Sequence, residues 1–216
     1  LAHPLLETQM TERPIIFSAD MVRAILAGRK TQTRRAIKKM PATLPGWWKA
    51  MHWASAGHFV RGASEHCLYG KPGDRLWVRE TFAVQPDLWA ASHGPQPMHY
   101  MADCEPEQIE DYVCKPSIHM PRWASRIMLE IVSVRVERVQ DISEKDAKAE
   151  GITGYSDNLG SRHSNPTMIY PAFPEKDGGF LRAQDAFECL WDSINAKRGY
   201  SWESNPWVWV IEFKRL

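Results

Sequence analysis

The chain has 216 residues, 44% of them hydrophobic and 25% charged, with a formal net charge of +1. That length suits one domain with a full core and room for long insertions. The near-zero charge gives no global field that demands a nucleic-acid partner, and no apolar run is long enough to span a bilayer.

Residues 1–9 (LAHPLLETQ) precede Met10, a natural place to start, and read as an appended tail outside the fold. Ile15, Ile16 and Phe17 then read as a first strand. Ser18 is suited to cap the helix that follows, and Met21, Ala24, Ile25 and Leu26 give that helix an apolar stripe. Gly28 fits its left-handed C-cap. A dense basic and hydroxyl loop comes next, Arg29-Lys30-Thr31-Gln32-Thr33-Arg34-Arg35.

Residues 40–72 hold Trp47, Trp48, Trp53, His52, His58 and His66 without clean periodicity and read as an insertion. After a Gly70-to-Asp74 turn signal, Arg75 to Ala83 reads as one strand. Residues 84–121 look irregular. Arg126 to Val139 is the clearest strand: Ile127, Leu129 and Ile131 alternate on one phase, and Val132, Val134 and Val136 on the other. The switch at Ile131-Val132 predicts a bulge or a change of face. Ser143 caps a short helix to Glu150, stopped by Gly151. Residues 153–182 read as another long loop. Ala186, Phe187, Leu190 and Ile194 give a helix over 183–195, and Trp207 to Phe213 is a buried final strand. Several strands, few helices and long loops predict a mixed α+β, mainly β fold: a small β-barrel with flanking helices and long loop insertions.

Cys67, Cys104, Cys114 and Cys189 form no CxxC pair and no zinc-type spacing. With no signal peptide in view, the expectation is a cytoplasmic protein with free thiols and no metal.

Lys30 and Thr33 lead the candidate chemistry. A lysine amine becomes a base only when burial or neighbouring cations lower its pKa, and Arg29, Arg34, Arg35, Lys38 and Lys39 are such neighbours. A neutral Lys30 can then take the proton of the Thr33 hydroxyl. By spacing alone, the plainer reading is a solvated basic loop. Glu150, at a helix C-terminus where a carboxylate is disfavoured, can orient Lys30, shuttle a proton to a leaving amine or activate water, or can be merely exposed. Glu80 sits on a strand between Arg79 and Thr81. If it faces inward it must be paired, and it can then contact a polar ligand edge; alternation leaves inward and outward even. His119, Arg122 and Trp123 share a loop that offers a stacking platform, although the simpler reading packs Trp123 on the core.

The segment Gly28-Arg29-Lys30-Thr31-Gln32-Thr33-Arg34-Arg35 resembles the G-x-K-x-x-T-x-R signature of the ASCH domain, a PUA-like β-barrel family. The resemblance extends over Ile15 to Ala27, Gly73 to Val78, Glu130 to Ile152 and Val210 to Lys214, in the family's order. Within the family the chain is similar to bacterial N4-acetylcytidine amidohydrolases, and its length and insertions resemble a longer, phage-associated branch. The resemblance implies a catalytic triad of Lys30, Thr33 and Glu150. It also places Arg35 and the first-strand aromatic Phe17 in the substrate site, with Glu80, His119 and Trp123 as further binding candidates.

The expectation is therefore a single domain over 10–216 with insertions near 40–72, 84–121 and 153–182. It would be a monomeric, metal-free and cofactor-free amidohydrolase that removes the N4-acyl group from a modified pyrimidine base or nucleoside. The alternative is an RNA-binding PUA-like module or a ribonuclease. That module would hold phosphates on Arg29, Lys30, Arg34, Arg35, Lys38 and Lys39 and stack bases on tryptophans.

Overall fold

A computed structural model describes residues 10–38, 67–84, 99–104, 113–157, 167–171 and 179–216. The tail and the 40–66 tryptophan-histidine stretch lie outside the described residues. In chain order the elements are β1 (Glu12–Ile16), α1 (Ala19–Leu26), β2 (Gln32–Ala36), β3 (Arg75–Arg79), β4 (Phe82–Val84), β5 (His99–Tyr100), β6 (Val113–Lys115) and β7 (Met128–Arg138). There follow α2 (Glu144–Ala149), β8 (Tyr155–Asp157), β9 (Thr167–Pro171), β10 (Gly179–Phe180), α3 (Ala183–Asn195) and β11 (Trp207–Arg215). The fold is mixed α+β with strand predominating among the described residues. By residue contacts the chain divides into two compact units, Leu1–Arg23 with Glu65–Ser133 and Phe213–Leu216, and Ala24–Ser64 with Val134–Glu212.

In the first unit, β1 runs parallel to β3, with Glu12 opposite Arg75 and Ile16 opposite Arg79. β3 is antiparallel to β7, with Leu76 opposite Leu129. Alternation buries Leu76 and Val78 on one side of β3, and Phe17 packs its ring on Phe213 at a centroid distance of 6.1 Å. The turn before β3 is tied by Asp74, whose carboxylate accepts the backbone N–H of Thr11 (3.0 Å) and of Lys71 (3.1 Å). Burial works against that charge, but the backbone donors, with the charge of Lys71, hold the carboxyl below its usual range.

Two expectations change here. The single strand over 75–83 is two strands, β3 ending at Arg79 and β4 starting at Phe82, with Thr81 and the buried Glu80 between them. The irregular 84–121 segment supplies β5 and β6, which flank β4 in a small antiparallel sheet packed through Phe82, Tyr100, Met120 and Ala124. Strands of two or three residues leave no alternation to read.

In the second unit, β11 is antiparallel to β2, with Glu212 opposite Gln32, Ile211 opposite Thr33 and Val208 opposite Ala36. Its core gathers Val139, Ile142, Ala147, Tyr170, Phe187, Trp191 and Val210. The helix over 183–195 forms as expected, although Ile194 stays on the surface while Trp191 takes the buried position. Ser143 caps α2, its hydroxyl accepting the Asp146 N–H at 3.1 Å, and Gly151 ends that turn at φ +97°. The 153–182 stretch, expected as loop, contributes β8, β9 and β10 as a three-stranded antiparallel sheet.

β7 runs through both units. Its burial phase does shift, from Leu129 and Ile131 to Val134, but Val132 is 51% exposed, so the shift falls beyond Ile131-Val132.

Candidate functional site

The second unit holds Lys30, Thr33, Arg35 and Glu150; the first holds Phe17, Glu80, His119 and Trp123. In the second unit the basic loop is not a solvated face. Gly28 (φ +71°) reverses the chain after α1, and the amides of Arg29 and Lys30 both donate to the Ala24 carbonyl. The Thr31 N–H then donates to the Ala149 carbonyl at 2.9 Å, tying the loop to the end of α2. Gly151 makes that approach possible: a Cβ there would stand 3.1 Å from the Ala24 Cβ and 3.2 Å from the Lys30 Cβ.

This bracing buries Lys30 to 2% exposure and Glu150 to 5%. The Lys30 Nζ donates to the Glu150 Oε2 at 2.8 Å and to the Glu150 backbone carbonyl at 2.7 Å. Burial is the largest influence on the amine and depresses its pKa. The Glu150 carboxylate opposes it, and the charges of Arg35 and Arg34 add to it, so Lys30 sits below the ordinary lysine range. A desolvated lysine whose proton is weakly held is the form that acts as a general base near neutral pH.

Thr33 and Arg35 share one face of β2, and Gln32 and Arg34 share the other. Thr33 is buried opposite Ile211. On the other face, Gln32 donates to the Asp146 carbonyl at 2.9 Å, and Arg34 spreads its terminal nitrogens over three carboxylates. Nη1 reaches the Glu150 Oε1 at 3.1 Å; Nη2 meets Glu137 and, at 3.4 Å, Asp146. The guanidinium also stands 5.8 Å from the Phe187 ring centroid. Arg135 bonds Glu137, Asp146 and Glu212 in turn. The structure thus joins Lys30 to Glu150 as the sequence suggested, and adds Arg34 to the pair. In the sequence Arg34 is one of several cations near Lys30, and no local pattern signals its pairing, because its partners lie more than 100 positions away.

In the first unit, Glu80 faces inward. Both of its oxygens are taken by Arg126, at 2.9 and 3.0 Å, and Asp103 and the ring of Tyr100 complete the clamp. Phe17 is buried in the core against Phe213. His119 lies exposed on a short 3-10 turn. Trp123, expected to pack on the core, is instead 77% exposed: it lies on a second short turn, Arg122–Ala124, whose buried residue is Ala124, and Met120 just before that turn is buried in the same cluster. Among the described residues no group of three or more His, Cys, Asp or Glu side chains is arranged to hold a metal ion. No helix among them is long and apolar enough to cross a membrane.

No family model matches the chain. No curated protein matches it either. Among solved structures, the chain is similar to a high-resolution crystal structure of an ASCH domain from Lactobacillus crispatus JV V101. That match has a TM-score of 0.39 and 14% sequence identity, and covers 95% of this chain and 79% of that one. A likeness of this size assigns no activity.

Proposed function

We propose that this chain is an ASCH-type, PUA-like amidohydrolase that removes the N4-acyl group from an acylated cytosine or cytidine. The observation that carries the reading is the buried pair of Lys30 and Glu150, with burial holding the amine below the ordinary lysine range three residues from a buried threonine. Burying a lysine and a glutamate 120 residues apart in sequence is costly for a structural purpose alone. The G-x-K-x-x-T-x-R resemblance supplies the substrate class.

In the proposed sequence the neutral Lys30 amine takes the proton of the Thr33 hydroxyl as its oxygen attacks the acyl carbonyl. The tetrahedral oxyanion is stabilised by Arg35. The carbon–nitrogen bond then breaks, and the Lys30 ammonium returns its proton to the departing exocyclic amine. Water, deprotonated by Lys30, then attacks the threonine ester; the ester C–O bond breaks, the Thr33 oxygen takes the proton back from the Lys30 ammonium, and the acyl group leaves as its carboxylic acid. The backbone carbonyl of Glu150 holds the amine in place throughout, and its carboxylate balances the charge of the ammonium. Thr33 in an alternative role would position that water for direct attack on the amide.

The test is incubation with a panel of N4-acylated cytosines and cytidines, followed by the ultraviolet change on deacylation. Release of the free base or nucleoside is expected, and Lys30→Ala and Thr33→Ala should each lower it by at least about a thousandfold while the fold persists. An active Lys30→Ala variant, or cleavage of labelled RNA with no deacylation of any substrate in the panel, would overturn the reading.

A further inference from the structure

The Glu150 carboxylate has two oxygens, and a different cation holds each: Lys30 at Oε2 and Arg34 at Oε1. We propose that Arg34 is a positioning residue, a permanent counter-ion that keeps the Glu150 carboxylate in place when Lys30 is neutral, so that the lysine can work as the base. The inference deepens the amidohydrolase reading and rests on it for its chemistry.

A buried Lys–Glu pair holds a conflict when the lysine must act as a base. A carboxylate with one partner stabilises the lysine's proton, which opposes use of the amine as a base. If the lysine did lose its proton, the carboxylate would be left buried without a cation, an expensive state. Arg34 removes both difficulties. A guanidinium stays charged over the whole accessible pH range, so Glu150 keeps a cation in either state of Lys30. The positive charge of Arg34 also acts directly on the Lys30 ammonium and favours release of its proton.

The placement of Arg34 is firm. Its side chain is fully buried and is braced by Glu137 and Asp146 as well as Glu150. Its Nε has no hydrogen-bond partner among the described residues, so the terminal nitrogens carry its polar contacts. Glu137 and Asp146 are not left to Arg34 alone, since Arg135 bonds both at 3.1 and 3.3 Å and extends to Glu212. The charged groups around the lysine are thus Glu150, Arg34 and Arg35, with Glu137, Asp146, Arg135 and Glu212 behind them.

The experiment is a direct titration of Lys30 by NMR on lysine-labelled protein, in the native sequence, in Arg34→Gln and in Arg34→Lys. Removing the like charge and leaving Glu150 to Lys30 alone should raise the lysine pKa by about one unit or more in Arg34→Gln. Arg34→Lys keeps the charge and should stay near the native value. Should Arg34→Gln fail to fold, Arg34→Gln with Glu137→Gln replaces it, because the two amides can pair. An unchanged titration in the glutamine variant, or equal shifts in both variants, overturns the proposal. The titration needs no substrate, so it reports on Arg34 even if no acylcytidine is hydrolysed. Where hydrolysis is seen, the acid limb of kcat/KM should move up in pH with the lysine.

Discussion

Replacing Glu150 by glutamine should destabilise the protein by about 3 kcal/mol at neutral pH, the low end of what breaking a buried ion pair costs. Solvent screening, which reduces surface pairs to a fraction of that, does not apply: the Lys30 and Glu150 side chains are 0% and 4% exposed. Three retained contacts hold the figure at the low end. Lys30 retains the backbone carbonyl of residue 150, and Arg34 retains Glu137 and Asp146. For a chain of this size, about 3 kcal/mol corresponds to a fall in Tm of about 6–12 °C. The assay is thermal and guanidinium unfolding at pH 7 and at a series of rising pH values. Burial lowers the Lys30 pKa, and as pH rises through its native titration the ammonium is lost and the destabilisation should shrink. In the double variant with Lys30→Met, the total loss should be smaller than the sum of the two single losses by at least about 1 kcal/mol. A Tm change below about 1 °C, or strict additivity, would show that the pair is not the buried, coupled unit described here.

Ser143→Ala removes the cap of the helix that leads to Glu150 and should cost about 1 kcal/mol in chemical unfolding. Gly70→Ala should cost about 2–4 kcal/mol, because φ is +117° and the new Cβ would stand 2.8 Å from the Asp74 Oδ2; Gly28→Ala, at φ +71° with open space around it, should cost only about 1–2. Asp74, whose carboxyl is held below its unfolded value of 3.8, contributes stability that is present above that pH and lost as pH falls through the lower native value. The gap in unfolding free energy between the native chain and Asp74→Asn should therefore close only in strong acid. Burial, only partly offset by backbone hydrogen bonds, pushes the Cys67 thiol from 9.0 to about 11. Iodoacetamide at pH 8, read by mass spectrometry, should leave Cys67 about a hundredfold slower than an ordinary thiol, while the exposed Cys114 is labelled first.

The local signals were legible where one residue type answers one backbone need. Ser143 and Gly151 bracket α2 as expected, and Gly28 reverses the chain after α1. The long β7 announced itself by alternation. β5, β6, β8 and β10 did not, since two or three residues cannot display a period of two. Glu80 was undecided because alternation fixes that a residue alternates, not which face is the core; Arg126, 46 residues on, decides it. The same limit applies to the site. The pairing of residue 30 with residue 150 spans 120 positions, and no local pattern contains it, so it came from the resemblance to a family. Arg34 shows the other side of that limit: its partners Glu137, Asp146 and Glu150 lie more than 100 positions away, so a run of basic residues looked like surface.

One of the two oxygens that grip the lysine belongs to the peptide bond between residues 150 and 151. No exchange of side chains at position 150 can delete it. Mutagenesis of the acid therefore leaves the amine pointing where it already points, and what is lost is charge rather than aim. Only a change in the path of the main chain, as a bulkier residue at Gly151 would force, can turn the lysine away.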